Sequence, residues 1–380
     1  MITGYPFESD CFSETGINLI RGMNVKRGYI DLSNDICVKW TSSKGLESYL
    51  LKENDIIIQM DGALIGKSYG IIKKKHLPAL LVQRVTRARI NNEIADSDFM
   101  YQTIQRDFLT YISMNKTETA VPHLSLNDIK NFGIMVPTLL EQKMIGSFFA
   151  NLDRLITLHQ RKCETLKKLK KSMLQKMFPK NGSHFPEIRF AGFTDAWEQR
   201  KFSDFTFPAG ERNKDDLDLE PFAITSNQGF IAQSEAHDDF GYMKDVDRKM
   251  YIVVKPNSFA YNPARINVGS LGYYEGAENV IVSSLYEVFQ TAEYVDDKFL
   301  KHWFKTKAFQ DWIERLQEGS VRLYFYYDKL CECIMSMPSV EEQRKIGAYL
   351  DKIDNLITLH QRKLETLKKL KKAMLQKMFI

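Results

Sequence analysis

Two stretches of the chain, residues 141–178 and 342–379, repeat apolar residues with the seven-residue spacing of a paired helix. No proline or glycine interrupts residues 147–178, so one continuous helix from about residue 139 to 178 is predicted. At 1.5 Å per residue its length would be roughly 60 Å. The predicted interface positions are Leu152, Leu155, His159, Leu166, Leu169 and Met173, and in the second stretch Ile353, Leu356, His360, Leu367, Leu370 and Met374.

The two stretches are copies of one another. At an offset of 201 residues, 27 of 38 positions are identical. Because an apolar stripe on a long helix needs a partner, the simplest partner is the other copy. The alternative is that the two stretches are two ordinary core helices. The two histidines on the stripe either fix the register as polar residues or act as a proton switch, and the first is favoured.

Each copy begins with a helix-start signal. Thr138 precedes Glu141 by three residues, and Ser339 precedes Glu342 by three. This is the spacing of a capping box, in which the hydroxyl and the carboxylate each accept one unpaired backbone N–H.

The regions before the two helices differ in sequence but share an order of elements. Each predicts a strand, a turn and a strand, then an apolar β-rich run, then a helical stretch, and so a mixed α/β globular domain. These segments are 51–72, 79–90 and 97–112 in the first half and 254–274, 279–290 and 296–316 in the second. Residues 179–190, with two prolines and a glycine, separate the halves.

Composition predicts a soluble cytoplasmic protein. Hydrophobic residues make up 44% of the 380 and charged residues 27%, and no segment is apolar enough to predict a membrane span. The five cysteines show no metal-ligand spacing, so free thiols and no metal site are expected.

The net charge of +5 is unevenly distributed. Residues 141–178 contain nine Lys or Arg and three Asp or Glu, and residues 342–379 contain ten and four, so each copy carries +6. Residues 1–140 carry +1, and the remainder of the chain carries −8. A nucleic-acid contact in the second half would therefore need a local basic patch.

Catalytic signatures are weak. The sequence has no phosphate-binding loop, zinc-protease motif or serine nucleophile elbow. The nearest approach to an adenine methyltransferase motif is Asn262-Pro263-Ala264-Arg265, which lacks the second proline and the aromatic residue. Asp55 and Asp61 could belong to a nuclease, but a turn role is more usual for such residues.

Loop residues with hydrogen-bonding side chains are the candidates for DNA contact. They follow the glycine-containing turns of the two halves or follow Gly319. The alternative is that the lysines lie in solvated loops and the tyrosines in the core. The predicted set is Lys67, Tyr69, Lys73, Lys74, Lys75, Arg265, Asn267, Ser270, Arg322 and Tyr324.

Together these features resemble the specificity subunit of type I restriction–modification systems. The residues that support this are Pro137 with Glu141-Gln142 and Ile145-Gly146, their repeats Pro338, Glu342-Gln343 and Ile346-Gly347, and the LITLHQRK…MLQKMF helices. PEIRFAGFTDAWEQRKFSD (186–204) and YNPARINVGS (261–270) also resemble the leading and turn segments of that family's recognition domains.

The resemblance implies an α+β fold: two mixed α/β target-recognition domains separated by two long helices that pair as an antiparallel coiled coil. The implied bounds are 1–137 and 181–338 for the recognition domains, and 138–180 and 339–380 for the spacer helices. Each domain would read one half of a bipartite, asymmetric double-stranded DNA site.

The resemblance also implies partners. Two adenine methyltransferase subunits and the restriction subunits would bind the scaffold, and S-adenosylmethionine, ATP and Mg would belong to them, leaving this chain without catalysis or cofactor. A structural coiled-coil adaptor without DNA readout and a fused methyltransferase or nuclease are the alternatives. The segment at 186–205 has no counterpart before the first domain, which is therefore expected to be short at its N-terminus.

Overall fold

The computed structural model describes residues 1–62, 67–115, 123–180, 182–226, 229–236, 248–320 and 323–379. The chain divides into two compact units, Met1–Gln160 with Arg362–Ile380, and Arg161–Gln361. Both boundaries fall inside long helices, so each unit contains a globular region and parts of both repeats.

The first unit contains nine strands among its described residues and the start of a long helix. The strands are β1 (Ile2–Thr3), β2 (Ile17–Ile20), β3 (Val25–Lys26), β4 (Tyr29–Ile30), β5 (Lys39–Trp40), β6 (Ile56–Gln59), β7 (Tyr69–Ile71), β8 (Ala79–Leu81) and β9 (Val85–Ala88). The helices are α1 (Ser97–Thr103), α2 (Leu109–Asn115), α3 (Leu126–Lys130) and α4 (Leu139–Lys176), with a π-helical turn at Ile104–Phe108 between α1 and α2.

The second unit receives the end of α4 and contains the start of the second long helix. Its strands are β10 (Glu198–Lys201), β11 (Thr206–Pro208), β12 (Glu211–Arg212), β13 (Phe222–Thr225), β14 (Gly229–Ala232), β15 (Ile252–Val254), β16 (Ser258–Tyr261), β17 (Leu271–Tyr274), β18 (Val280–Val282), β19 (Glu287–Thr291) and β20 (Ile334–Met337). Its helices are α5 (Gln233–Ala236), α6 (Asp297–Trp303), α7 (Lys307–Leu316), α8 (Tyr327–Glu332) and α9 (Val340–Lys377).

The two units share one central sheet design despite their different sequences. The four-stranded sheets have the orders β1-β9-β6-β7 and β11-β19-β16-β17. The predicted strand–turn–strand segments form the antiparallel pairs β6–β7 and β16–β17. Before each pair stands an asparagine with positive φ, Asn54 at 69° and Asn257 at 60°. Asparagine tolerates this left-handed conformation better than most residues, which explains its presence at both turns.

Apolar strands and helices form the core of each unit. Ile56, Ile58 and Phe108 are at most 1% exposed in the first unit and pack in one cluster. In the second unit, Phe259 and Phe289 stack 5.1 Å apart, and both are fully buried. Aromatic pairs of this kind add stability beyond their buried area.

The long helices begin where the sequence predicts, but only half of each predicted capping box forms among the described residues. The backbone N–H groups of Glu141 and Glu342 donate to the hydroxyls of Thr138 and Ser339, each at 3.4 Å. The carboxylate of Glu342 binds Arg189 instead of the helix start, through Oε1 and Oε2 at 2.7 and 2.8 Å. The reciprocal half of the predicted capping box is therefore wrong at Glu342, because a buried carboxylate is better satisfied by a guanidinium. It is also wrong at the first helix, where among the described residues no hydrogen bond joins the Glu141 carboxylate to the N–H of Thr138.

The two long helices pair antiparallel in each unit, as predicted. In the first unit Phe149 contacts Phe379, and Asp153, one turn later, contacts Lys371. Residue numbers therefore rise along one helix in the direction in which they fall along the other, as in an antiparallel pair. In the second unit Cys163 approaches the carbonyl of Ile357 and Lys170 contacts Asp354, with the same sense.

Candidate nucleic-acid interface and docking joints

A buried glutamine connects α4 to the globular region of the first unit. The backbone N–H of Asp96 donates to Gln142 Oε1 at 3.1 Å, and Gln142 Nε2 donates to the carbonyl of Pro137 at 2.9 Å. Asp96 in turn caps α1, since its Oδ1 accepts the backbone N–H of Phe99 at 2.9 Å. The amide thus joins the starts of two helices, an arrangement we term the docking joint.

The second unit contains the same docking joint with different neighbours. The backbone N–H of Asp296 donates to Gln343 Oε1 at 2.8 Å, and Gln343 Nε2 donates to Pro338 at 3.0 Å. Asp296 Oδ1 caps α6 by accepting the N–H of Phe299 at 2.8 Å. Both glutamines are 1% exposed, so each is a satisfied buried polar group that requires this geometry.

A glycine allows the close approach in each joint. A Cβ at Gly146 would lie 2.8 Å from the backbone nitrogen of Phe99, and one at Gly347 would lie 2.8 Å from that of Phe299. Real Cβ atoms do not approach backbone so closely, so both positions exclude a side chain. The Ile-Gly pair of the repeated motif is thereby explained by packing.

The far end of the other helix completes each joint. Phe99 stacks on Phe379 with ring centroids 5.1 Å apart, and Phe299 stacks on Phe178 at 5.2 Å. Phe178 and Phe379 are equivalent residues of the two copies. Each globular region therefore lies against the start of one long helix and the end of the other.

A lysine–aspartate bridge links the paired helices in each unit. Lys371 Nζ lies 2.6 Å from Asp153 Oδ1, and Lys170 Nζ lies 2.6 Å from Asp354 Oδ1. The lysine side chains are only 12% and 13% exposed. The long side chain of each lysine thus crosses to the carboxylate of the partner helix.

The predicted interface positions occupy different depths. Leu152, Leu166 and Ile353 are buried, with exposed fractions of 6%, 6% and 4%. Leu169 and Leu370 are each 38% exposed and lie at the margin of the seam. The remaining predicted positions are half-buried: Leu155, His159, Met173, Leu356, His360, Leu367 and Met374.

A cluster of His302, Asp351 and Asp354 in the second unit has its donor atoms within 4.8 Å of one another. Burial lowers the pKa of His302, so its neutral ring donates from Nε2 to Asp351 Oδ1 at 2.9 Å. Burial alone would raise the pKa of Asp351, but hydrogen bonds from His302 and Lys301 lower it to about 2. Because Lys301 and Lys170 already neutralise the carboxylates, we interpret the cluster as a charge network that joins α6 and α4 to α9.

In the first unit the predicted DNA-contact lysines lie at the surface. Lys67, Lys74 and Lys75 are exposed. Lys73 is 43% exposed and pairs with Asp98 at 3.2 Å. Tyr69 is only 7% exposed and packs edge-on against Tyr101, so its predicted contact with DNA is corrected to a core role.

In the second unit the predicted residues gather around one turn. Arg265 is exposed at the start of the short helical turn Ile266–Val268, and Asn267 is exposed within it. The loop that carries Tyr324 meets this turn, because the N–H of Phe325 donates to Pro263 at 3.1 Å. Ser270 is 6% exposed and donates to a backbone carbonyl, so its predicted DNA contact is also corrected. Arg322 lies outside the described residues.

The first unit has the equivalent loop contact. Near it lies an arginine that was not among the residues predicted from the sequence. The N–H of Leu124 donates to the carbonyl of Met60 at 2.7 Å. Arg84 lies nearby with a 73% exposed side chain, 3.3 Å from Asp61. The proximity of Arg84 depends on the sheet pairing of β6 with β9, which no local sequence pattern encodes.

The carboxylates considered for a nuclease have structural partners. Asp55 is 1% exposed and binds Arg89 through both of its oxygens, each at 2.7 Å. Asp55 also accepts the backbone N–H of Lys52. Asn262 Oδ1 likewise accepts the N–H of Ala264 in a tight turn, a structural use of the asparagine. Among the described residues, no helix is both long and apolar enough to cross a membrane.

Comparisons with known proteins agree with this architecture. The family model for the type I restriction modification DNA specificity domain matches residues 7–168 and 233–369. The specificity subunit of the MjaVIII type I restriction enzyme of Methanocaldococcus jannaschii is 22% identical over 86% of this chain and 78% of its own length. The EcoAI specificity subunit of Escherichia coli is 28% identical over 46% of this chain, a match that spans only 29% of that relative.

A solved structure shows the same fold. The type I restriction–modification S subunit from M. genitalium matches 100% of this chain and 93% of its own with a TM-score of 0.63, at 13% identity. The family model covers well over half of the residues, including most of both long helices. The chain belongs to the family of type I restriction modification DNA specificity domains.

Proposed function

We propose that this chain is the DNA-specificity subunit of a type I restriction–modification complex and reads a bipartite, asymmetric site. The repeated docking joint is the observation that carries the proposal. Gln142 and Gln343 hold two recognition domains in the same way against the paired helices. Two domains that are attached to the helices in the same way can each face one half-site.

The two candidate reading surfaces differ in chemistry, which supports an asymmetric target. The first unit exposes cations, namely Lys67, Lys74 and Lys75. The second exposes Arg265 and Asn267, whose side chains can make bidentate contacts to guanine and adenine. Two identical domains would read a palindrome, whereas unlike domains read unlike half-sites.

The proposed partners follow from the repeat. Two copies of one helical surface offer two equivalent sites, so two methyltransferase subunits can bind the scaffold, and restriction subunits join that complex. In this proposal the chain is not itself catalytic. S-adenosylmethionine, ATP and Mg belong to the partner subunits.

Methylation mapping tests the proposal directly. The chain is expressed with its cognate methyltransferase subunit in a methylation-free host, and modified adenines are located by single-molecule sequencing. An asymmetric bipartite motif that depends on this chain is expected, and the methyltransferase alone is the control. A complex that forms, as judged by size, and shows no sequence preference would make the chain a structural adaptor and refute the proposal.

A further inference from the structure

One arginine of the first unit has a backbone conformation that is costly for its residue type. Arg84 has a φ of 66°, in the left-handed region that favours glycine. Among the described residues, the other non-glycine residues with positive φ are Asn54, Asp216 and Asn257. Asparagine and aspartate tolerate this conformation, whereas arginine has no such advantage. A strained position of this kind is often found at a functional site.

The contacts of Arg84 within the unit do not account for an arginine there. Its carbonyl accepts the N–H of Met60 at 3.0 Å, a bond that any residue could make. Its side chain is 73% exposed and forms an ion pair with Asp61, in which Nε lies 3.3 Å from Oδ2. Such a surface pair contributes little to stability. Neither Nη atom has a hydrogen-bond partner among the described residues, so the planar end of the guanidinium is available to a ligand.

The aspartate beside Arg84 is held in place from two other sides. Gln59 Nε2 donates to the carbonyl of Asp61 at 2.7 Å, and His123 Nδ1 contacts the Asp61 carboxylate. The Asp61 side chain is 23% exposed, far less than that of Arg84. A fixed carboxylate next to Nε restricts the guanidinium, so less side-chain entropy is lost when the terminal nitrogens bind a ligand.

This ion pair lies at one end of the four-stranded sheet of the first unit. Three strands of that sheet are neighbours in the order β9-β6-β7. Arg84 directly precedes β9, Asp61 follows β6 by two residues, and Lys67 precedes β7 by two. Because β6 is antiparallel to both neighbours, the three positions share one end of the sheet. Arg84 therefore lies at the same sheet end as Lys67, which is predicted to contact DNA.

The equivalent position of the second unit has no hydrogen-bonding side chain. Four residues after the asparagine with positive φ, the strand pairs with Thr86 in the first unit and with Glu287 in the second. The residues two before these, Arg84 and Leu285, are therefore equivalent. Leu285 is 69% exposed and cannot donate a hydrogen bond to a base. Any base read by Arg84 thus belongs to one half-site only.

We propose that Arg84 reads a guanine in the major groove of one half-site, with Asp61 as its positioning residue. This role presupposes the proposed function of the chain, since it requires the first unit to read DNA. The Nη N–H groups donate to O6 and N7, the pair of acceptors that distinguishes guanine in the major groove. The Asp61 carboxylate binds the Nε edge of the guanidinium and leaves the Nη edge to the base.

Selection of bound sites from a random DNA library tests the role, with the chain assembled with its methyltransferase subunit. The wild type is expected to select a motif with an invariant guanine in one half-site. Arg84→Gly should abolish the preference at that position and leave the others unchanged. Asp61→Asn keeps the shape and removes the charge, so it should weaken the preference at that position only. Lys52→Ala is the control, because it removes an exposed cation before β6, at the opposite end of that strand.

Modified bases separate base reading from a phosphate contact. Replacing the guanine by 7-deazaguanine removes the N7 acceptor and should weaken binding of the wild type about tenfold. The same replacement should not change binding by Arg84→Gly. Hypoxanthine keeps N7 and O6 and lacks only the amino group in the minor groove, so the wild type should bind it as it binds guanine.

The glycine variant also separates a reading role from a structural one. Because glycine adopts a φ of 66° at lower cost, Arg84→Gly should melt at the same temperature as the wild type or higher. A lower melting temperature with weaker binding to every sequence would make the side chain structural and overturn the proposal. Weaker binding to every sequence with the guanine preference intact would make Arg84 a phosphate contact and also overturn it.

The wild-type motif distinguishes failure of this role from failure of the proposed function. A wild-type complex without sequence preference would refute the proposed function and the role of Arg84 with it. A wild-type motif that lacks guanine, or that Arg84→Gly leaves unchanged, would refute the role of Arg84 alone. An unchanged guanine preference in Asp61→Asn would refute the positioning role of Asp61.

Discussion

Lys371 Nζ lies 2.6 Å from Asp153 Oδ1, and the equivalent atoms of Lys170 and Asp354 are separated by the same distance. The two lysines are 201 residues apart in sequence, as are the two aspartates. Each helix therefore donates a lysine near its end to an aspartate near the start of the other. This reciprocity is what two copies of one sequence produce when they pair antiparallel.

Breaking one bridge should destabilise the unit that contains it. Lys371→Glu places a second carboxylate beside Asp153, and we expect the free energy of unfolding to fall by about 1–2 kcal/mol. Chemical denaturation measures the loss. The neighbouring exposed residue provides the control variant Lys372→Glu, which should change stability little. Adding Asp153→Lys should recover much of the loss, and failure to do so would show that the pair contributes no net attraction.

A methyl group at either joint glycine should loosen a recognition domain. Gly146→Ala forces Cβ against the backbone of Phe99, and Gly347→Ala does the same at Phe299. We expect a loss of about 1–3 kcal/mol from overpacking. Hydrogen exchange should quicken in α1 for the first variant and in α6 for the second. Ser147→Ala, at an exposed helix position, is the control, and equal exchange in all three variants would contradict the joint.

Proline should distinguish the body of a long helix from its start. Leu166→Pro or Leu367→Pro removes an interior hydrogen bond and costs about 3 kcal/mol or more, so assembly with the methyltransferase should fail. Leu139→Pro places the same residue at the first position of α4, where proline is tolerated. Size-exclusion chromatography of the co-expressed subunits measures assembly. Normal assembly and an unchanged methylation motif in Leu166→Pro would contradict the paired helices.

The two candidate DNA surfaces should respond differently to substitution. Arg265→Ala removes a predicted base contact and should relax specificity in one half-site by about 1–3 kcal/mol. Lys74→Ala removes a predicted phosphate contact, so it should weaken binding to all sequences. It should also lower by about one the slope of the logarithm of the binding constant against the logarithm of the salt concentration. Competition binding to a panel of DNA sites at several salt concentrations separates the two effects. Arg200→Ala, an exposed cation on β10, should change neither.

The stability of the first unit should fall in mild acid because of His76. Its side chain is buried, and its Nδ1 accepts the N–H of Lys73 at 3.0 Å. Burial, helped by Lys75 and Lys73, lowers its pKa to about 4 from an ordinary 6.5. A lowered pKa means that the stabilisation is present above pH 6.5 and is lost as the pH falls towards 4.

The variant His76→Gln tests this pH dependence. Its free energy of unfolding should lack the part of the decline that His76 causes, on the order of 2 kcal/mol, while the exposed control His123→Gln should keep it. Denaturation midpoints between pH 7 and 4 provide the measurement. Identical pH profiles for the wild type and His76→Gln would refute the assignment.

The sequence by itself determined the repeat, the bounds of the long helices, the strand–turn–strand pairs and the family. Local periodicity and capping residues predict these features. The apolar stripe through Leu152 and Leu166 indicates a long helix, and the hydroxyls of Thr138 and Ser339 indicate where each helix begins. A helix start depends on residues within one turn, so the neighbouring residues in the sequence suffice to predict it.

Only the tertiary structure decided which distant groups meet. The stacking of Phe99 on Phe379 joins residues far apart in the chain, and the pairing of Glu342 with Arg189 displaced the expected local cap. Burial of Tyr69 and Ser270 likewise depends on how strands pack. A buried polar or aromatic group takes whichever partner the fold brings within reach, and local sequence periodicity does not specify that partner.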